Sequence, residues 1–219
     1  MNKNYTHISI VLDNSGSMHG LKEKTKKGLW DFIQEQKNDK KSTVTLVEFN
    51  TISKTIFDFE NIEKIVEPHD FYPTGGTALF DALGTCIQQT GATLAKMKEE
   101  DRPGLVIFFV ITDGRENSSL FFRRDDIQKM VSEQESKYNW KFVYLGANQD
   151  AFQEGTSMGF AGHNSYGYNA NNIDVAFANT SSVLTRCRAD VSANGVLFAS
   201  SLQYTAEEIK SMNEGPDVK

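Results

Sequence analysis

The sequence predicts an α/β protein with a doubly wound sheet, because strand-like and helix-like patterns alternate along the chain. The apolar run at residues 105–111 is the most continuous in the chain and suits a central strand buried on both faces. The β-branched run at residues 8–12 stops at an acidic loop, as expected for a strand that leads into a site. Alternating residues at 43–59 add a hairpin, which belongs at an edge of the sheet.

The helices follow from apolar spacing of three and four residues. From residue 21 the spacing becomes helical, and the lysines of that stretch fall on a solvated face. A second helix is expected at residues 78–99, before a break at residues 102–104. The pattern continues with a helix at residues 125–138, a strand at residues 140–145 and a short helix at residues 150–158.

The character of the chain changes near residue 160. Residues 161–172 are rich in Gly, Asn and Tyr and predict either a loop or a short irregular strand. Asn172 or Asp174 can cap a last helix that packs on the sheet, and a weaker helical signal at residues 205–212 precedes a polar end that either docks or dangles. We therefore expect an α/β domain at residues 1–160 and a C-terminal extension at residues 161–219, formed by a loop, a packing helix and a polar tail.

Composition narrows the classes of function. The 23 Lys and Arg residues against 29 Asp and Glu residues give a net charge of −6, which argues against nucleic-acid or membrane-surface binding driven by bulk charge. Cys86 and Cys187 lie far apart, which predicts two reduced, buried thiols. The N-terminal residues do not resemble a signal peptide, and no stretch is apolar for long enough to cross a bilayer. We expect a soluble, cytoplasmic protein.

Three separate pieces of sequence carry hydroxyl and carboxylate groups that the predicted sheet would bring together. They are Asp13, Ser15 and Ser17 after the first strand, Thr77 after a Gly-Gly pair, and Asp113 after the central strand. In an open α/β sheet, such loops meet in the crevice where the strand order reverses. Oxygen ligands alone favour Mg²⁺, or Mn²⁺, over Zn²⁺.

Five further residues are expected at the rim of this site. Gly16 permits the bend that lets alternate residues of the first loop face one ion, and Asn14, His19, Gly76 and Arg115 neighbour the candidate ligands. Each fragment alone has a structural explanation as a turn or a helix cap.

Taken in order, the three pieces resemble the metal-ion-dependent adhesion site (MIDAS) of von Willebrand factor type A domains, whose pattern is Asp-x-Ser-x-Ser, then Thr, then Asp. The resemblance covers about residues 5–160, and residues 144–150 look similar to small intracellular bacterial and phage members. It implies a Rossmann-like, mostly parallel sheet of about six strands, with one antiparallel edge strand and helices on both faces. It also implies that Ser15, Ser17 and Thr77 approach the metal directly or through water, while Asp13 and Asp113 act largely through waters and hydrogen bonds.

The function that this resemblance implies is a non-enzymatic binding module. Mg²⁺ at the site would take a Glu or Asp carboxylate from a partner protein and so serve the assembly or regulation of a complex. The resemblance also implies an ATPase as a candidate partner, because intracellular members of the family often work alongside one. This sequence carries no phosphate-binding loop, so such an ATPase would be a separate chain.

Two alternatives stay open. One is a Mg²⁺-dependent phosphoryl-transfer enzyme with an Asp nucleophile, although Ser15 stands where such a site would want a second Asp. The other is a self-assembling homo-oligomer in which Glu214 or Asp217 of one copy enters the site of the next.

The remaining candidates have ordinary explanations. His7, His69 and His163 show no ligand spacing and are expected to be surface or core histidines. Glu116 and Asn117 are expected to be solvated loop residues more often than rim residues.

Overall fold

In the computed structural model, which describes residues 1–37, 41–66, 71–147 and 150–214, six strands form one sheet. The strands are β1 (Asn2–Asp13), β2 (Ser42–Phe49), β3 (Ser53–Asn61), β4 (Pro103–Thr112), β5 (Lys141–Ala147) and β6 (Ser165–Tyr168). Their order across the sheet is β3-β2-β1-β4-β5-β6, and only the β2 and β3 pair is antiparallel. The predicted fold class and the edge hairpin are therefore confirmed.

The helices within these described residues are α1 (Lys22–Lys37), α2 (Leu79–Lys96), α3 (Arg124–Tyr138), α4 (Ala151–Ser157), α5 (Ile173–Asn194), α6 (Ala199–Leu202) and α7 (Ala206–Asn213). A 3₁₀ turn, Gly16–Leu21, precedes α1. Among the described helices, none is both long and apolar enough to span a membrane.

Strand β4 shows why the sheet carries helices on both faces. Leu105, Ile107, Phe109 and Ile111 pack in a core with α1 and α5, whereas the intervening Val106, Phe108 and Val110 pack in a second core with α2 and α3. Successive side chains of a strand point to opposite faces, so a continuous apolar run fills both cores. Both cysteines are buried free thiols, as predicted.

The segment predicted as a C-terminal extension contributes to both the sheet and one core. Strand β6 pairs in parallel with β5, which resolves the open choice at residues 161–172 in favour of a loop with a short strand. Helix α5 packs against α1, with Phe177, Val183 and Leu184 buried. Asn172 precedes α5, but its side chain makes no capping hydrogen bond there. Thr205 caps α7, and Met212 is completely buried, so the chain is docked as far as this helix.

Candidate functional site

The site residues lie where the order of the sheet reverses. Chain connections run from β1 toward β2 on one side and from β4 toward β5 on the other, so the carboxyl ends of β1 and β4 border the central crevice. Asp13 is the last residue of β1, and Asp113 follows Thr112, the last residue of β4.

The loop after β1 folds back on the carboxylate of Asp13. The backbone N–H of Ser15 donates to Asp13 Oδ1 at 2.7 Å, and Ser15 is extended, with φ −74° and ψ 169°. Ser15 Oγ lies 3.0 Å from Ser17 Oγ, so the two hydroxyls lie side by side as the alternate spacing predicted. Asp13 and Ser15 are buried, whereas Ser17 faces solvent.

Two hydrogen bonds join this loop to the end of β4. Ser17 Oγ donates to Asp113 Oδ1 at 2.5 Å, and Thr112 Oγ1 donates to Asp13 Oδ2 at 2.5 Å. The groups that are 96 and 99 residues apart in sequence are therefore in direct contact. Ser15, Ser17 and Asp113 form one line of hydrogen-bonded oxygens across the crevice.

Thr77 reaches the same place from the loop before α2. Gly75, at φ +75°, turns the chain there, and its carbonyl accepts the backbone N–H of Gly16 at 3.1 Å. Gly114 shows how close Thr77 is to Asp13, since a Cβ built on it would lie 3.1 Å from Thr77 Oγ1 and 3.7 Å from Asp13 Oδ2. The structure thus brings together all five residues that the sequence predicted as metal ligands.

The electrostatics of the two carboxylates are unfavourable without a cation. Burial raises the pKa of Asp13, and the neighbouring charge of Asp113 raises it further, although hydrogen bonds from Thr112 and Ser15 oppose the shift. Burial also raises the pKa of Asp113, against the hydrogen bond from Ser17. Each shift means that the ionised form is less well solvated here than in water, so a bound cation would relieve the cost.

The donor set fits a hard divalent cation. It consists of two carboxylates and three hydroxyls, which are oxygen ligands of the kind that Mg²⁺ and Mn²⁺ prefer. The part of the chain that the structure describes contains no cluster of three or more His, Cys, Asp and Glu residues suited to a metal.

The predicted rim residues have different surroundings. Asn14 Nδ2 donates to Glu48 Oε2 at 3.0 Å, while Gly16 contacts the Gly75 loop. His19 is exposed on the 3₁₀ turn. Arg115 is 66% exposed, and its Nε lies 3.3 Å from Glu154 Oε1 on α4.

Gly76 has the most confined surroundings of the predicted rim. Its backbone N–H donates to Thr51 Oγ1 at 2.9 Å. A Cβ at this position would lie only 2.2 Å from Ser118 Oγ and 2.9 Å from Asn117 Oδ1, so a larger residue would force these two side chains to move.

Three residues that the sequence did not assign to the site hold its loops in place. Thr112 supports Asp13, as described above. Asn117 Oδ1 accepts the backbone N–H of Thr77 at 2.9 Å, and the Thr77 carbonyl accepts the backbone N–H of Asn117 at 3.0 Å. Glu116, expected to be a solvated loop residue, accepts hydrogen bonds from Phe80 at the start of α2 and from its own loop.

The histidines have the ordinary roles that the sequence suggested, as far as they are described. His7 is completely buried, with its ring stacked 3.7 Å from that of Phe59, and His163 lies on a 3₁₀ turn before β6. His69 lies outside the described residues, as does Asp217 of the proposed self-assembly tail.

Comparison with known proteins identifies one family. The model of the von Willebrand factor type A domain matches residues 7–186. No curated protein matches the chain.

Several solved structures share the fold at low sequence identity. Proximal thread matrix protein 1 from the mussel byssus is 15% identical, with a TM-score of 0.60 over 81% of this chain and 47% of its own. The PilB minor pilin from Streptococcus sanguinis is 15% identical, with a TM-score of 0.58 over 87% and 62% of the two chains. A von Willebrand factor type A protein from Catenulispora acidiphila is 12% identical, with a TM-score of 0.53 over 81% and 42%. This chain therefore spans less than two thirds of each of these proteins.

Proposed function

The chain belongs to the von Willebrand factor type A domain family, whose members are commonly protein-interaction modules, and on that premise we propose that it binds a partner protein through a metal ion. In this proposal Asp13, Ser15, Ser17, Thr77 and Asp113 form a MIDAS that holds Mg²⁺, or Mn²⁺. A bound ion would use its open coordination position to accept a Glu or Asp carboxylate of the partner.

One observation carries the proposal most strongly. Side chains from three distant loops place oxygen atoms together at the carboxyl edge of the sheet, with Ser15, Ser17 and Asp113 in one hydrogen-bonded line. The burial of Asp13 and Asp113 raises their pKa values, so the site gains from a cation even before a partner arrives. One mussel structure of the same fold is described as having a zinc-occupied MIDAS motif, which supports a divalent ion at this position of the fold.

The chemistry of the residues favours binding over catalysis. Ser15 and Ser17 present hydroxyl groups, which are weak donors to a metal and would leave a bound cation electrophilic toward an outside carboxylate. Ser15 stands where phosphoryl transfer from an Asp nucleophile would want a second carboxylate for acid-base work. We therefore propose a non-enzymatic role.

The metal site can be tested without knowing the partner. We expect the full chain to bind one Mn²⁺ in an electron paramagnetic resonance titration, and Mg²⁺ to compete with it. Thr77→Val removes one hydroxyl at nearly constant shape, so Mn²⁺ affinity should fall by about tenfold. Thr74→Val is the matched control on the same loop, since Thr74 is exposed and it is its backbone N–H that donates to the Asn14 carbonyl at 3.0 Å.

Partner binding needs a separate experiment. Pull-downs in Mg²⁺ and in EDTA should differ for the wild-type chain, and the difference should vanish for Asp13→Asn, which keeps an acceptor oxygen but loses the charge. Equal capture in EDTA, or Mn²⁺ affinity that is the same in Thr77→Val and wild type, would contradict the proposed function.

A further inference from the structure

Three large apolar side chains are exposed near the carboxyl ends of the strands, where the candidate metal site also lies. Leu120 is 85% exposed, Phe121 is 83% exposed and Ile52 is 73% exposed. Large apolar side chains that stay in water together mark contact surfaces more often than isolated ones do. Which molecules these three side chains would contact depends on where they lie relative to the candidate metal site.

These residues flank the Thr77 loop on two sides. Ile52 lies in the turn after β2, whose Thr51 accepts the backbone N–H of Gly76. Leu120 and Phe121 lie on the loop after β4, whose Asn117 accepts the backbone N–H of Thr77. The loop that supplies a candidate metal ligand is therefore hydrogen-bonded to both apolar segments.

Hydrogen bonds to α2 hold the segment with Leu120 and Phe121 in a fixed conformation. The carboxylate of Asp81, in the first turn of α2, accepts the backbone N–H groups of Leu120, Phe121 and Phe122 at 2.8 to 2.9 Å. The ring of Phe122 packs on α2 so closely that a Cβ on Gly84 would lie 2.8 Å from it. Because these bonds already order the backbone, binding through Leu120 and Phe121 would cost little backbone conformational entropy.

The charges around the segment favour a protein over a lipid surface. Arg115 and Arg124, at its two ends, share the single carboxylate of Glu154 at 3.3 and 3.8 Å, so part of their positive charge is available to an acidic partner. The exposed Asp125 and Asp126 follow the exposed Arg123 and Arg124 directly and offset their charge, so this stretch offers no excess positive charge to anionic headgroups.

We propose that Ile52, Leu120 and Phe121 form an apolar rim that selects partner proteins whose coordinating carboxylate is flanked by apolar side chains. This inference rests on the proposed function, because the carboxylate is the group that the metal site would take. The rim adds the specificity that a metal ion and a carboxylate alone do not supply.

The test uses two mixtures of fluorescent peptides built around a central Glu. One mixture has Leu, Ile, Val or Phe on each side of the Glu, and the other has Ser, Thr, Asn or Gln. In Mg²⁺ we expect the wild-type chain to bind the apolar mixture about tenfold more tightly, since burying a few large apolar side chains is worth at least that factor. The double variant Leu120→Ser with Phe121→Ser keeps Ile52 and should therefore lose most, though not all, of this preference while keeping its Mn²⁺ affinity.

A matched control removes an exposed aromatic elsewhere. Tyr138 is 57% exposed at the last residue of α3, at the opposite edge of the sheet, so Tyr138→Ser should keep the preference for apolar flanks. Loss of the preference in this variant as well would overturn the inference.

The remaining outcomes separate the inference from the proposed function. Equal binding of both mixtures by the wild-type chain, lost in EDTA, overturns the apolar rim and leaves the metal-dependent function standing. A preference that persists in EDTA overturns both. Binding of neither mixture overturns the rim, and the Mn²⁺ titration then decides the metal site by itself. Binding to phosphatidylcholine and phosphatidylserine vesicles that the double variant loses assigns the rim to a membrane and also overturns the inference.

Discussion

Thr112 controls the environment of the most buried carboxylate of the site. Its hydroxyl donates to Asp13 Oδ2 at 2.5 Å and accepts the backbone N–H of Gly114 at 3.1 Å. Thr112 is completely buried, so no water can replace the bond it gives to Asp13. Thr112 would therefore act on a bound metal ion through Asp13.

Thr112→Val tests this positioning role. Valine keeps the shape but removes the donor, so the Asp13 carboxylate loses one of its fixed partners, and Mn²⁺ affinity should fall by about tenfold in the same resonance titration. Thr112→Ser restores the hydroxyl and should recover most of the affinity. Unchanged affinity in Thr112→Val would mean that Asp13 is held sufficiently by Ser15 alone.

The contribution of His7 to the free energy of unfolding should depend on pH. Burial lowers its pKa from 6.5 to about 3, and its ring nitrogens face the hydroxyls of Thr43 and Ser9. The folded chain keeps His7 neutral where the unfolded chain protonates it, so the free energy of unfolding should decrease as pH falls below 6.5. The slope from this residue is about 1.4 kcal/mol for each pH unit until the folded pKa is approached.

His7→Gln removes that titration but keeps a neutral polar side chain. Urea unfolding near pH 7 and near pH 5 should show a loss of stability on acidification that is about 2 kcal/mol smaller in the variant than in wild type. The carboxylates titrate in both proteins, so the difference between the proteins isolates His7. Identical acid sensitivity would mean that the ring is already accessible to protons in the folded state.

The sequence pointed to the five candidate ligands that the structure brings together, but not to the residues that position them. Asp13, Ser15 and Ser17 form a compact pattern, and Thr77 and Asp113 each follow a recognisable strand or Gly-Gly turn. Thr112 is indistinguishable in sequence from any β-branched residue that ends a strand. Its role depends on the pairing of β1 with β4, which becomes known only when the register is known.

At the scale of elements, the conformation of the loop at residues 114–122 is fixed by side chains of α2 and of the loop itself. Asp81 binds three backbone N–H groups of the loop, and Glu116 binds the N–H of Phe80 at the start of the helix. A helix N-terminus carries unpaired N–H groups, so this exchange satisfies donors on both segments. The loop and the helix should therefore be ordered as one unit.

Asp81→Ala should disrupt that unit more than it disrupts the domain. Three backbone donors lose their acceptor, at a cost of about 2 kcal/mol in unfolding free energy, and hydrogen exchange should quicken at residues 120–122. Asp126→Ala is the control, because Asp126 is exposed and its carboxylate accepts the backbone N–H of Arg123, outside residues 120–122. Unchanged exchange at residues 120–122 would show that the ion pairs with Glu154 suffice to fix the loop.

The accuracy of the element predictions follows from the strength of each pattern. The hairpin was predictable because β2 and β3 alternate around a polar turn, and β4 because seven apolar residues stand in a row. Strand β6 has four residues, two of them Tyr and one Gly. Its pairing with β5 is a tertiary interaction that no local sequence pattern predicts. Observed helix ends differ from the predicted ones by a few residues: α2 ends at Lys96, whereas the sequence predicted residue 99.

At the scale of the whole molecule, the last helix is part of the folded unit. Asn213 Nδ2 donates to the Gly167 carbonyl on β6, and Asn172 Nδ2 donates to the carbonyl of Met212. Arg186 on α5 makes two hydrogen bonds to the carboxylate of Glu208, at 2.8 and 2.9 Å. The sequence left docking open because the helical signal is short and polar, and only the partners from α5 and β6 decide it.

Met212 should therefore stabilise the entire fold and not α7 alone. Its side chain is completely buried in the core that also contains Tyr168, the β6 residue whose hydroxyl faces the Thr112 carbonyl at 3.4 Å. Met212→Ala should lower the unfolding free energy by about 3 kcal/mol in urea, because it leaves a cavity in that core. Ile209→Ala, on the same helix but 36% exposed, should cost clearly less. Equal effects of the two variants would mean that α7 is only loosely attached. Because β6 ends beside the candidate metal site, Mn²⁺ affinity can be measured in the same variant. A weaker affinity in Met212→Ala would connect the C-terminal helix to that site.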